Sequence, residues 1–572
     1  MVEGGSEGAR QRLMELGLPE RVAILAQAAL GADAADVVAG DPWAVLEVPD
    51  VHPEQADRYA RARLGPAARP EDERRQVALV RWLLSRAARD GHTVLPVSIA
   101  GPALAAYGLD VSGAAAAAAG SGAAVEVAWP GGGLALPDLA AAERTIVEAV
   151  RARRLLDLTD VEELRPHADV LHPEVRSLAM LAGPAGEERD RALSHLVGQT
   201  QPRDGSVKLV APTLGGAIRL SRRAPAEAAT VTEVIAVRTS SESAPELVLV
   251  DEAGSLDVVT MAALLDAVSH VRTALLVADP HGLAPLDGPG EPVRDLYEWL
   301  SGGPKRPEGT TPLDGESSPD GEDSPPDGHP PRSAVANTAD LVSAVGDGWL
   351  PRVESPDREV VVVPVTNPTE AVRRTIQLVT DAIPRTFGVG PHDVMVLGVA
   401  RCGQAGTNLL NAELKMRLNP GSGPVGGFDV GDRVVFTREA GRARPGDVGS
   451  VIEMDGTGTA GGLTAPVDAD ELTVNVEGQQ VTVPASGGAL QHARALTIAR
   501  AASGRWPAVV VLLPGESAGY LSRGLLRTAF SRAERHLSVV HGAGPSLARA
   551  ATRGYDRRRR TMLPHLLRSA SE

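Results

Sequence analysis

Apolar residues recur at helical spacing in QRLMELGLPERVAILAQAAL, and again in ERRQVALVRWLLSRAARDGHTVLP until Gly91 interrupts them. This period predicts amphipathic helices packed as a bundle over roughly the first hundred residues. Alanine and glycine fill residues 113 to 124, where periodicity leaves a helix and a flexible connector both open. From about residue 170 the pattern shifts to short β-rich runs (VKLVAPT, ELVLVDEA, TALLVADP) separated by helix-like segments. That alternation predicts a parallel α/β sheet. A second series starts at EVVVVPV and DVMVLGV and resumes at AVVVLLP. Between its parts, FDVGDRVVFTREAGRARPGDVGSVIEM and ELTVNVEGQQVTVP alternate apolar and polar positions around Gly-Asp turns, the pattern of a small β-barrel.

Residues 301 to 333 break the second pattern off from the first. They are rich in Pro, Gly, Ser and acid, and too poor in apolar side chains to offset the entropy of ordering, so they read as a disordered linker. A chain of 572 residues with 43% apolar content suggests three or four globular domains. The net charge of −16 argues against a chain-wide nucleic-acid surface, leaving that role to local basic patches. One cysteine, Cys402, excludes an intramolecular disulfide framework and reads as a buried apolar filler. No targeting segment opens the chain and no apolar stretch is long enough for a bilayer, so a cytoplasmic protein without membrane contact is expected.

The chemistry concentrates in ELVLVDEAGSLD, where an apolar run ends on Asp251 and Glu252. Carboxylates at the tip of a buried parallel strand are where nucleotide-hydrolysing folds hold Mg²⁺ and orient the attacking water. The same two residues could equally cap the helix that follows. A phosphate loop of the form GxxxxGK[ST] also requires a lysine and a hydroxyl residue. The only lysines are Lys208, Lys305 and Lys415, and none has that context.

Taken in order, these segments resemble the RecD-like branch of superfamily 1 DNA helicases over nearly the whole chain. DPWAVLEVPDVHPEQADRYARARLG and DGHTVLP resemble its helix-hairpin-helix region, LHPEV its adenine-side motif, and APTLGGAIRL its first single-strand contact segment. VDEAGSLD resembles the Mg²⁺ motif, and ADPHGLAPLDGPG the segment coupling nucleotide state to DNA. VARCGQAGTNLLNAELKMRLNP resembles the opening of the second motor domain, and FDVGDRVVF to VTVP its barrel insertion. TIARAASGRWPAVVVLLP and LLRTAFSRAERHLSVV resemble the last two motifs. The resemblance implies an α/β chain with an N-terminal helix-hairpin-helix domain, two RecA-like P-loop domains and a small β-barrel in the second. It further implies ATP and Mg²⁺ as cofactors, and single-stranded DNA or DNA ends as partners.

On this resemblance Asp251 is the metal ligand, Glu252, Arg401 and Arg532 are the catalytic candidates, and Gly183, Gly186, Glu188, Arg189 and Asp279 line the nucleotide. Arg532 could instead be an interdomain ion-pair residue, and Arg401 a solvated turn residue. The departures from the family are concentrated at the motor. In LAGPAGEERDRAL, Glu188 and Arg189 stand where the lysine and the hydroxyl residue would be. Glu187 and Glu188 would face a polyphosphate, and like charges about 4 Å apart cost on the order of 4 kcal/mol at an effective dielectric near 20. Gly282 replaces a glutamine, Ala499 to Ala502 replace a His-Lys-Ser-Gln run, and Asp50 and His52 replace the two hairpin glycines. His52 and His92 read as surface or cap residues.

The expected domains are a helical one over 1–112, a connector over 113–165 and a first motor domain over 166–300. After the linker 301–333 comes a second motor domain over 334–426 and 486–545, carrying an insertion over 427–485. Residues 546–572 then form a basic tail, whose Arg557 to Arg560 could bind nucleic acid or anionic partners but read first as a solvated charge run. Three functions stay open: a degenerate DNA-associated or regulatory subunit of repair and recombination, with a possible protein partner; a working 5′→3′ helicase; and a protein-interaction scaffold.

Overall fold

The computed structural model describes residues 3–157, 176–200, 207–224, 226–238, 244–302, 334–455, 471–552 and 558–571. LHPEV, nearly all of the linker and Arg557 lie outside them. Among the described residues no single helix is long and apolar enough to cross a membrane.

The N-terminal domain is helical, with elements including Glu3–Glu15, Glu20–Leu30, Pro53–Leu64 and Glu73–Arg89 around Leu13, Trp43, Leu79 and Leu104. Gly91 follows the last of these at φ 88°, a conformation glycine adopts without strain. Trp43 Nε1 donates to Asp57 at 2.9 Å, and the Arg75 guanidinium grips the same carboxylate at 2.8 and 2.9 Å. The alanine-rich stretch is a helix, Val111–Gly120, because Asp110 caps the Gly113 N–H at 2.9 Å and Ala114, Ala115 and Ala118 pack inward.

The first motor domain is a six-stranded parallel sheet. Its spatial order is Arg154–Asp157, Ser177–Ala182, Thr273–Ala278, Leu247–Val250, Val207–Ala211 and Glu227–Thr230. Leu247–Val250 and Thr273–Ala278 are buried at every position, as central strands covered on both faces must be. The second motor domain is a five-stranded parallel sheet in the order Val360–Pro364, Ala533–His541, Trp506–Leu513, Val394–Gly398 and Ala495–Thr497.

The insertion departs from expectation. It is a five-stranded antiparallel sheet, Gln479–Pro484, Glu471–Val476, Val448–Asp455, Arg433–Phe436 and Leu490–His492, and no pairing among the described residues joins its outer strands into a barrel. Leu490–His492 pairs over only three residues, too short to reach round to the far edge. Part of the exposed core is covered instead by Leu214 and Ile218 of the first motor domain.

The C-terminal arginines do not form a solvated tail. Arg558 pairs with Glu291 and Asp295 at 3.0 Å each, and also with Glu298. Arg559 donates to the carbonyls of Gly288 and Gly290 at 2.9 and 2.8 Å. The Arg560 carbonyl accepts from Thr93 N–H at 2.9 Å, and its own N–H reaches His92 Nδ1 at 3.1 Å. The segment thereby straps the helical domain to the first motor domain.

Candidate active site

Leu247–Val250 delivers Asp251 and Glu252 to the cleft between the two parallel sheets. Glu252 sits at φ 52°, ψ 33°, an uncommon backbone region for a residue with a side chain, while its N–H is held by Asp251 Oδ1 at 2.9 Å. Ser177–Ala182 leads through Gly183, Pro184, Ala185 and Gly186 into the helix Glu187–Thr200, the strand-loop-helix arrangement of a phosphate loop. Neither loop glycine has a positive φ, and a Cβ added at either would meet nothing within 4 Å.

The loop helix presents a different side chain to the cleft from the one expected. Glu187 and Glu188 are exposed, Glu187 pairing with Arg191 at 3.6 Å. The helical turn brings Arg189 inward, 5% exposed, where it meets Asp251 Oδ1 at 3.1 Å and Glu252 Oε1 at 2.6 Å. Arg532 approaches the other Glu252 oxygen at 3.5 Å from the second motor domain and is held by the Thr528 and Ala502 carbonyls. Burial penalises the Glu252 carboxylate, but Arg532 and Arg189 outweigh it and hold its pKa down to about 2. Burial raises Asp251 against the pull of Arg189. Arg189 itself is shifted upward, its burial overcome by the two carboxylates.

The remaining cleft residues are committed in the same way. Asp279 pairs with Arg527 at 2.6 Å. A Cβ at Gly282 would stand 3.2 Å from Thr528 Oγ1, so the position expected to carry a glutamine has little room for a side chain. The space left beside Glu252, Asp279, Thr528 and Arg532 is about 130 Å³, below the roughly 300 Å³ at which small-ligand pockets begin. The Arg189 guanidinium stands between the two carboxylates, where the sequence places a cation. Lys208 and Lys415 cannot substitute, being paired with Glu227 and with Asp429 and Asp432. Lys305 lies outside the described residues. Arg401 is exposed on the turn after Val394–Gly398 and does not join the cluster. Cys402 is exposed too, not a core filler, because the same turn lifts it off the sheet.

The positions expected to contact a strand are likewise occupied by the chain itself. The helix Leu214–Arg223 opens with N–H groups available to an anion, and Asp447 of the insertion takes those of Leu214 and Gly215 at 3.0 and 2.7 Å. In the hairpin, Asp50 holds φ 66° where glycine would sit, and the His52 N–H is bound by Gln55 Oε1 at 2.8 Å. Sequence reasoning missed Asp447, since nothing local in RPGDVGS marks its distant partners. It also missed Asp190, which ties the motor domains through Arg505 at 2.6 Å.

Two parallel sheets facing each other across a carboxylate-bearing cleft define a helicase-type tandem of RecA-like domains. Residues 4–94 match the family described as the ATP-dependent RecD2 DNA helicase HHH domain, and residues 168–303 match the AAA domain family. The chain is 27% identical over 600 residues to the ATP-dependent RecD2 DNA helicase of Deinococcus radiodurans, covering 96% of itself and 77% of that relative. Similar solved structures include Pif1 helicase from Candida albicans (12% identity, 76% of this chain and 98% of that one, TM-score 0.35). Another is the Bacteroides Pif1 helicase in complex with ADP-AlF3 and ssDNA (12%, 66% and 91%, 0.34). The two family models and the relative together support a RecD-like superfamily 1 helicase homologue with an N-terminal helix-hairpin-helix region.

Proposed function

We propose that this chain is a RecD-like helicase homologue that keeps the helicase architecture without its ATP cycle, and acts as a DNA-associated, non-unwinding regulatory subunit in DNA repair or recombination. The contact of Arg189 with Asp251 and Glu252 carries the reading. A buried carboxylate pair already matched by the Arg189 and Arg532 guanidiniums gains little from Mg²⁺, and displacing Arg189 into a low-dielectric cleft costs several kcal/mol. The missing loop lysine and the filled position beside Gly282 support the same conclusion. DNA association is inherited from the family and is weakened by the groups that fill its phosphate contacts.

Calorimetric titration with Mg²⁺-ATP, paired with a hydrolysis assay with and without single-stranded DNA, tests the reading. Expected are no saturable binding below about 1 mM, a free energy near −4 kcal/mol, and no DNA-stimulated turnover. Turnover in the ordinary enzyme range of about 1 to 10³ per second, abolished by Glu252→Gln, would establish a working helicase instead.

A further inference from the structure

A second cavity, about 450 Å³, opens where the helix Leu214–Arg223, the insertion and the start of Trp506–Leu513 meet. It contains no residue of the loop 183–189 and neither Asp251 nor Glu252, although it shares Thr213, Gly446 and Ser503 with the space beside Glu252. Its acids are all engaged. Glu477 is held by Arg219 and Arg222 at 3.4 and 2.6 Å, Glu534 by Arg223 at 2.8 Å, and Asp393 by the Gly390 N–H at 3.0 Å. Asp447 is taken up by backbone amides.

Arg433 has no carboxylate in contact among the described residues. It is 8% exposed, lines the cavity, and among those residues its guanidinium donates to the Val394 carbonyl, at 3.0 Å. A guanidinium has five donors, and the fields of Asp393 and Glu477 offset the desolvation of this buried cation only in part. The surroundings add positive field: Arg494, itself buried, reaches His392 Nδ1 at 3.2 Å on the cavity wall. Burial, with Arg494 adding to it, draws Arg433 down to about 10, and burial followed by Arg494 and Arg433 lowers His392. Arg505, also lining the cavity, leaves its buried Nε without a partner.

We propose that this cavity is a binding site for a phosphate-bearing anion of about pyrophosphate size, with Arg433 as its buried anchor and Arg222 at its rim. Planar guanidinium groups bind phosphate through paired N–H donors, and the volume falls within the range of small-ligand pockets.

Titration of the full chain with inorganic pyrophosphate at low ionic strength tests this. Saturable binding is expected, weakened at least tenfold by Arg433→Met. Without ligand, Arg433→Met should melt at the same temperature as the parent or higher, since it removes a buried charge whose desolvation is offset only in part. Arg222→Ala, at a half-exposed side chain, keeps the test open should Arg433→Met fail to fold, and should weaken binding severalfold. Displacement of pyrophosphate by a single-stranded oligonucleotide assigns the site to strand phosphates, and persistence assigns it to a free ligand. Either result supports the pocket. Absence of binding, or affinity unchanged in every variant that folds, overturns it. Because the nucleotide loop takes no part, ATP binding there leaves this inference standing.

Discussion

Arg189 Nη2 and Glu252 Oε1 lie 2.6 Å apart, joining the first turn of the loop helix to the end of the carboxylate strand. These are the two elements that a nucleotide and its metal ion would otherwise bridge. The link makes the cleft complete without a ligand, and its removal has a defined cost.

Arg189→Ala should destabilise the protein by about 3–5 kcal/mol, the usual result of stripping one partner from a buried ion pair. Added Mg²⁺ should recover part of this loss in the variant and leave the parent unchanged, because only the variant has two carboxylates open to a cation. Thermal melts across a Mg²⁺ series measure both effects. A variant indifferent to Mg²⁺ would show that the guanidinium does not stand in for a metal.

Glu188→Lys with Arg189→Thr should raise nucleotide affinity and still fail to restore strand separation. Binding depends chiefly on the loop, whereas coupling also needs the positions of Gly282 and Ala499 to Ala502, and the first is crowded by Thr528. Calorimetry with a non-hydrolysable nucleotide and a strand-displacement assay read the two halves separately. Recovered unwinding would confine the degeneracy to the loop.

Binding of a labelled oligonucleotide should be weak, independent of sequence and steeply dependent on salt, as phosphate contact dictates. With 3% aromatic residues, stacking contributes little. Asp447→Asn should increase affinity by removing an anion from the start of the helix Leu214–Arg223. Fluorescence anisotropy decides, and equal affinity in the two proteins would remove Asp447 from the strand path.

The strap should respond to pH through Glu143. Its carboxyl accepts from Thr93 Oγ1 at 2.7 Å and from the Met562 N–H at 3.1 Å, and burial raises its pKa from 4.5 to about 8. A folded pKa above the unfolded value means the folded form holds the extra proton. The stability from Glu143 is therefore full below about pH 4.5 and is lost as pH rises to about 8. Burial also raises Asp295, the acceptor for Thr561 Oγ1, to about 7, and it acts in the same direction. Melting temperatures from pH 6 to 9 should fall in the parent and flatten in Glu143→Gln. Parallel curves would dissociate the strap from this carboxyl.

The strands were readable because buried parallel strands are continuous apolar runs: ELVLV and TALLVA needed no tertiary context. Helix punctuation was also local at Gly91, whereas the Asp110 cap that settles the alanine-rich helix went unread. The insertion's alternation revealed its strands and not its closure, since closure turned on Leu214 and Ile218, more than two hundred residues earlier. The site was half legible. Glu188 and Arg189 were visible as departures from a phosphate loop, but only helical phase decides that Arg189 points inward and Glu188 outward. The C-terminal arginines looked solvent-bound because their acids, Glu291, Asp295 and Glu298, lie some 260 residues away.

The strap also sets an order on the birth of the molecule. Glu143 cannot satisfy its carboxyl until Met562 has been synthesised, and Thr93 waits on the Arg560 carbonyl. At roughly 5–20 residues per second, the helical domain is translated about half a minute or more before its seam to the first motor domain can be completed. For that interval the Glu143 carboxyl and the surface it faces lack their C-terminal cover on the nascent chain.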